Sequence, residues 1–426
     1  MTSTMIRWFS GTALACAVLA AQAQMTPAPP PVETLTLQQA EALFNERNRE
    51  VRAARRLTEG AEADILAARA RPNPTLSIGT TGINPSQGVG AGNVLNRRVD
   101  TTVGLSQLFE RGNKRELRTQ AAEYQALAAR GDEADVARQQ RGLLYAAYFD
   151  LLLAQERIRV IDETAALFAR TVDAANLRLK AGDIAPTEVS RISVDALRAQ
   201  NDARTARAER DKAQLVLAYL VGLEHVASKL TATENWPTDA PDLDVRAVNE
   251  LLARRADVQA AQARVQAAER SRELARALRT RDVIAGVQYE RYPGDTQTNN
   301  SYGVMVSIPL FTNYTYQGEI RRAEVEFQAA EEHLERVKAL AAADVNRALA
   351  ELNAAAERVR RFREALVAAA EKAANGAEFA YSRGATSVMD VLDARRQLYV
   401  TRLDFLGAQA DYARALAAWR TATRTP

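Results

Sequence analysis

The sequence predicts a mainly α-helical chain with a membrane β part, built as a two-fold internal repeat. Three observations predict it. Apolar residues step 4-3-4-3 along stretches far longer than a globular helix. Two regions, about residues 74–109 and 283–311, switch to alternation, the period of a β-strand. The order helix, alternating hairpin, long helix, glycine tip, helix occurs twice, which marks a duplication rather than a solenoid.

Composition narrows the class. A length of 426 residues alone suggests two or three ordinary domains, but aromatics are only 6% and alanine and charged residues fill long tracts, as in long helices and coiled coils. Lys+Arg 56 against Asp+Glu 53 leaves +3, a mixed surface without a basic domain, so no nucleic-acid partner is expected. Residues 1–23 have the form of a secretory signal: Arg7, an apolar core from Gly11 to Ala21, and an A-x-A site at Ala21-Gln22-Ala23. The only cysteine, Cys16, lies in that core. Leu14 stands one residue late for a lipoprotein box, so neither lipid nor disulfide is expected in the mature chain. No later run reaches the roughly 18 apolar residues of a membrane helix. A chain of this kind spans a membrane only as a closed barrel.

The elements follow in order. Residues 24–34 form a Pro-rich linker. The first repeat is placed at 35–222. Thr36 with Gln39 has capping-box spacing and opens a helix to about Arg71, where Pro72 and Pro74 end it. Pro74 to Gly82 and Val99 to Phe109 alternate, with Leu76, Ile78, Val103 and Leu105 on apolar faces and Ser77, Gly79, Gly104 and Ser106 opposite. A long helix follows from Lys114 to Leu179, with the seam Ala147, Leu151, Ala154, Ile158, Ile161, Ala165, Phe168, Val172, Ala175 and Leu179. Asp132 breaks the pattern nearer its start. Gly182 turns the chain, and Pro186 suits the first position of the return helix. Residues 223–244, with Pro237 and Pro241, are an irregular equatorial connection.

The second repeat, 245–420, answers the first. Val258 stands where Val51 stands. Val283 to Tyr292 and Tyr302 to Phe311 form the second hairpin, with Tyr302, Val304, Val306, Ile308 and Leu310 on its apolar face. A long helix runs from Glu319 to Ser382, its seam stepping 4-4 at Ala341 and Val345, a stutter. Gly384 makes the second tip, and a last helix runs from Ser387 to Thr421, leaving 421–426 as a tail. Thr386 and Ser387 suit its cap, with Asp390 in capping-box spacing. Asp390 and Asp393, at i and i+3, then share one face.

Four strands of about ten residues cannot close a barrel, since single-chain barrels start at about 8 strands. Three chains would give a twelve-stranded barrel with a water-filled lumen, lined by the small polar face. The long helices would then project about 100 Å as a tunnel.

The two-fold repeat, the G-x₅-D-V-L-D-A tip and the hairpins before long helices resemble the TolC-type outer-membrane efflux channels over about residues 35–420. L-T-L-Q-Q-A-E-A-L and L-F-E-R-G-N-K-R resemble the CzcC-like heavy-metal branch, although E-R-G-N-K-R departs from that branch's usual E-L-G-G-K-R. The resemblance implies a homotrimer in the outer membrane of a Gram-negative bacterium. Its helices would stand in the periplasm, and the loops 82–98 and 293–301 outside the cell. It implies two partners, a periplasmic adaptor and an inner-membrane pump, often of the resistance-nodulation-division type, and passive export of cobalt, zinc or cadmium. It implies that Asp390 and Asp393 ring the closed periplasmic entrance, where crowding would raise their apparent pKa. Arg383, Lys180, Glu188 and Arg191 are candidates for ion pairs at the tips, and the Gly182 and Gly384 tips for contact with adaptor and pump.

Blander readings stand beside these. Asp390 is also placed to cap its helix, and most charges here sit on solvated faces. A multidrug or type I secretion channel has the same architecture. A periplasmic coiled-coil protein without a pore would have no use for the alternating hairpins. His225 and His333 lack metal-ligand spacing, and Tyr145, Tyr148 and Phe149 suit helix packing. No nucleophile elbow or phosphate loop is present, so no enzyme, no cofactor and no resident metal is expected.

Overall fold

The computed structural model describes residues 34–83, 85–86, 99–238, 252–293 and 298–423. The signal, Cys16, most of the linker and the middle of both hairpin loops lie outside the described residues.

Strand β1 (Thr34–Leu35) leads into α1 (Leu37–Arg47) and α2 (Arg49–Arg69). The Thr36–Gln39 capping box is formed in both directions. The single helix expected here is broken at Asn48. Its side chain accepts from the Val51 amide at 3.0 Å and donates to the Leu220 carbonyl at 3.2 Å, so it starts α2 against the end of the return helix. Strands β2 (Thr75–Thr81) and β3 (Asp100–Phe109) follow. Helix α3 then runs without interruption over Lys114–Ala181, 68 residues or about 100 Å. Gly182, at φ 82, closes it by donating its amide hydrogen to the Arg178 and Leu179 carbonyls, and α4 returns over Pro186–Val221 with proline in its first turn.

The connection after α4 is more ordered than expected. A 3₁₀ turn, Glu224–Lys229, leads to β4 (Thr231–Ala232), which pairs in parallel with β1. Around them Leu35, Phe44, Leu144, Leu151, Leu217, Val221 and Leu230 form a core against α3 and α4. Tyr148 is buried in it and donates to the Leu35 carbonyl at 2.9 Å; burial pushes its phenol up to about 12. Phe149 stacks on Trp236.

In the second repeat, α5 covers Ala256–Ala277. Residues 239–251, which include Pro241 and the helix start expected at Val245, lie outside the described residues; the helix described here begins after Arg255, the position that answers Asn48. Arg255 is extended, 1% exposed, and paired with Asp257 at 2.7 Å. Burial works against the Asp257 carboxylate, but the Arg255 guanidinium outweighs it and keeps it below the usual range. Strands β5 (Val283–Pro293) and β6 (Thr298–Ser307) form the second hairpin. Strand β6 starts earlier than expected and stops at Ser307, short of Ile308–Phe311. Helix α6 spans Gln317–Arg361, a π turn covers Phe362–Leu366, α7 spans Val367–Ser382 and α8 spans Val388–Thr423. The seam is therefore corrected at its end. The 4-4 step at Ala341 and Val345 is buried within one continuous helix, and the π turn adds a further shift of phase after it. Leu366, the expected seam residue, is 48% exposed, and Ala370 and Ala374 carry the seam onward. Asp132 is not an anomaly: it pairs with Arg264 of α5.

The four long strands make one antiparallel sheet in the order β2-β3-β5-β6. Its register puts Leu76 opposite Leu105, Leu105 opposite Val287 and Val287 opposite Val304, all on one face. The other face carries Ser77, Gly104 and Gln288 in one row and Thr102 and Glu290 in another. A Cβ on Gly104 would stand 2.8 Å from the Ser77 hydroxyl oxygen, so glycine is what lets Ser77 lie across the strand. On the apolar face Ile78 is 69% exposed and Val304 83%, an area that water does not leave uncovered in a folded assembly. Among the described residues no helix is long and apolar enough to cross a membrane, and the sheet is the part suited to lipid.

Where the sheet meets the helices, the repeats are clipped together. Lys114, at the start of α3, is 6% exposed. Its ammonium donates to the Thr280 carbonyl at 2.7 Å and pairs with Asp282 at 2.8 Å. Asp282 also accepts from the Arg111 amide at 2.9 Å. Gly112 and Asn113 take positive φ so that the chain turns tightly from β3 into α3 and brings Lys114 inward.

Candidate functional site

The second tip is built around a reciprocal cap. The Asp390 carboxylate accepts through Oδ2 from the Thr386 hydroxyl at 2.6 Å, the Ser387 hydroxyl at 2.8 Å and the Ser387 amide at 3.0 Å. The Asp390 amide donates back to the Ser387 hydroxyl at 3.3 Å. The Thr386 hydroxyl first, then the Ser387 donors, hold the Asp390 carboxyl below the usual carboxylate range. This cap is therefore present at neutral pH and is lost as pH falls below about 4. In the single chain the shift runs opposite to the rise expected of a crowded ring. Among the described residues Asp390 Oδ1 accepts no hydrogen bond, so the same carboxylate holds the cap and keeps one oxygen uncommitted.

Asp393 lies one turn further on, exposed, with Arg396 Nη1 at 3.4 Å. Leu392 points the other way. It is 3% exposed, packed with Phe168, Ala175, Val189, Ile192 and Ala196 of α3 and α4. Burying Leu392 fixes the rotation of α8, and that rotation presents Asp390 and Asp393 together on the open face.

The contacts that hold the two hairpins side by side escaped the sequence. Arg396 bridges Asp393 to Asp195 of α4, whose side chain is only 11% exposed. Arg178 near the first tip donates to the Tyr381 hydroxyl at 2.8 Å. Within the second hairpin Arg395 pairs with Glu378, and Arg402 with Glu371 at 2.9 Å. An excess of arginines after Asp393 was the available signal, but their partners lie far along the chain. The expected ion-pair residues behave differently. Arg383 lies over the Phe379 ring, 5.4 Å from its centre. Among the described residues of the single chain, Arg383, Lys180, Glu188 and Arg191 make no ion pair. Gly182 and Gly384 both take positive φ and stand in open space, so both tips are sharp and uncovered.

A sheet with one lipid-suited face, unpaired outer strands and two helical hairpins about 100 Å long define a class: an outer-membrane channel with a periplasmic tunnel. The profile of the family described as outer membrane efflux protein matches residues 40–223 and 247–423, and the chain belongs to that family. The cobalt-zinc-cadmium resistance protein CzcC of Cupriavidus metallidurans is 27% identical over 385 residues, 88% of this chain and 86% of CzcC. A membrane protein from Pseudomonas aeruginosa has the same fold, with a TM-score of 0.78 at 20% identity over 91% of this chain and 92% of that one. The open state of the Neisseria gonorrhoeae MtrE outer membrane channel superposes with a TM-score of 0.73 at 20% identity over 91% and 88%. The protein is thus an outer-membrane efflux channel and not an enzyme. Channels of this family are trimers that work with an adaptor and an inner-membrane pump.

Proposed function

We propose that this channel is the exit duct of a divalent metal exporter, fed with cobalt, zinc or cadmium by a pump of the resistance-nodulation-division type through a periplasmic adaptor. The observation that carries the reading is the likeness to CzcC along nearly the whole chain. The small-residue face of the sheet supports it. In a closed barrel that face lines the lumen, and its described charges are the carboxylates Asp100 and Glu290, which favour cations over anions. At the other end, Asp390 and Asp393 from three chains form the acidic entrance. Lys180, Arg191, Glu188 and Arg383, without an ion pair among the described residues of one chain, then meet charged partners across copies or on the adaptor, which docks at the Gly182 and Gly384 tips.

Deleting the gene is expected to raise sensitivity to zinc, cobalt or cadmium before it affects organic drugs, as read from growth inhibition series. Sensitivity to drugs first, with metals unaffected, would assign the protein to multidrug export or to type I secretion.

A further inference from the structure

The foot of the sheet carries a basic cluster that export does not use. A cavity of about 740 Å³ lies there, between the end of α2, the last residues of β3 and the first turn of α3. Arg71, Gln107, Phe109, Arg111, Arg115 and Glu116 help to line it. Gln107 ties two of its walls together: its side-chain amide donates to the Pro72 carbonyl at 2.8 Å and to the Leu108 carbonyl at 2.9 Å.

The charges around this cavity do not balance. Lys114 is taken up by Asp282, and Glu110 by Arg118 through two hydrogen bonds of 2.7 and 3.2 Å. Among the described residues Arg71, Arg111 and Arg115 make no ion pair. The lining carboxylate left beside them is Glu116, which accepts from the Gln120 side chain at 3.2 Å. Three guanidinium groups, each a fork that matches two oxygens of a phosphate, thus stand against one carboxylate.

Two features put the cluster at the border of the hydrocarbon. Gln107 and Phe109 continue the row of Val103 and Leu105 on the apolar face of β3, and Phe109 is 54% exposed. Across the foot, the Arg111 amide meets Asp282, and the adjacent Arg281 lies over the Phe311 ring, 5.5 Å from its centre. Phe311 packs edge-on against Tyr316, with Tyr314 beside it. Tyrosines and arginines below an apolar strand face mark the level where acyl chains give way to headgroups. Because the helices stand in the periplasm, that level belongs to the periplasmic leaflet, which is built of phospholipid.

We propose that the cavity seats the headgroup of an anionic phospholipid, one per chain. Arg71, Arg111 and Arg115 bind its phosphate oxygens, and its acyl chains run up the sheet over Phe109 and Leu105. A zwitterionic lipid would bring its own cation to a site already rich in guanidinium groups. An acidic protein segment would match the charge but not the apolar wall above it. Metal cations are repelled by the same arginines, so the cluster serves no step of cation passage.

Native mass spectrometry of the full-length particle in detergent tests this, with dioleoyl phosphatidylglycerol and dioleoyl phosphatidylcholine as probes. Phosphatidylglycerol should bind at one lipid per chain and about tenfold or more tighter than phosphatidylcholine. The triple variant Arg71→Gln, Arg111→Gln, Arg115→Gln should lose that preference. A control triple variant of exposed helix arginines, Arg52→Gln, Arg204→Gln, Arg363→Gln, should keep it. Glu116→Gln should tighten phosphatidylglycerol binding, and unchanged binding there would contradict the placement of the headgroup. Equal binding of the two lipids, a preference kept by the first triple variant, or one lost equally in the control would overturn the proposal. Displacement of the lipid by glycerol 3-phosphate at the same concentration would overturn it in favour of a free-phosphate site. Displacement by a glutamate-rich peptide would overturn it in favour of an acidic protein partner.

Discussion

Cation block of single-channel current, measured with a trivalent cation on the periplasmic side, is expected to disappear in the Asp390→Ala, Asp393→Ala double variant while trimer assembly is retained. Leu392 holds the start of α8 against α3 and α4, so both carboxylates leave the packed side and are exposed. In the proposed acidic entrance, three chains would bring six of them near one axis, a ring of charge of the kind that selects cations. Asp390 also caps α8, so loss of block needs a control that removes the cap alone. Ser387→Ala is that control. It deletes the reciprocal hydroxyl, should loosen the tip by about 1 kcal/mol, and leaves both carboxylates in place. Block that survives in Ser387→Ala and vanishes in the double variant assigns it to charge. Block unaltered in the double variant would leave Asp390 as a helix cap and put the cation site elsewhere.

Breaking the clip between the repeats should have the largest effect on stability. Lys114 is nearly inaccessible to water and has two acceptors, the Thr280 carbonyl and Asp282. In Asp282→Ala the ammonium keeps only the carbonyl, and the Arg111 amide loses its acceptor as well. Leaving a buried charge without its partner costs on the order of 3 kcal/mol. We expect a clear fall in the temperature of heat unfolding and less folded protein in the outer membrane. Lys114→Met, which removes the charge but keeps much of the stem, should cost less, because Asp282 remains partly exposed. Equal and negligible effects of the two variants would show that the clip does not hold the junction.

The parts legible in the sequence are those written in short periods. The α3 seam is buried or half-buried along its length, from Ala147 to Leu179, because a heptad stripe has only one way to hide from water. The alternating hairpins give the apolar face of the sheet in the same way. The second tip was also legible, since the Ser387–Asp390 cap involves neighbours three residues apart. What was hidden depends on distant partners. Asn48 and Arg255 break their helices where each bonds a carbonyl of another helix, Leu220 in one repeat and Ala341 in the other. Strands β1 and β4 are two residues each, too short for any periodicity. Strand β6 ends at Ser307, two residues before Pro309, which has no amide hydrogen to give to a ladder. The π turn at Phe362–Leu366 has no local punctuation, and only the shifted burial of Ala370 and Ala374 reveals it. The link from Arg396 to Asp195 joins residues 201 positions apart, beyond any motif.

The mass of the protein purified in detergent, measured by light scattering with the detergent subtracted, decides whether the sheet closes as a trimer. Four strands with two unpaired outer edges, and exposed apolar residues on one face, require other copies to close the barrel. A particle of three chains is expected. A stable, folded particle of one full-length mature chain would contradict it.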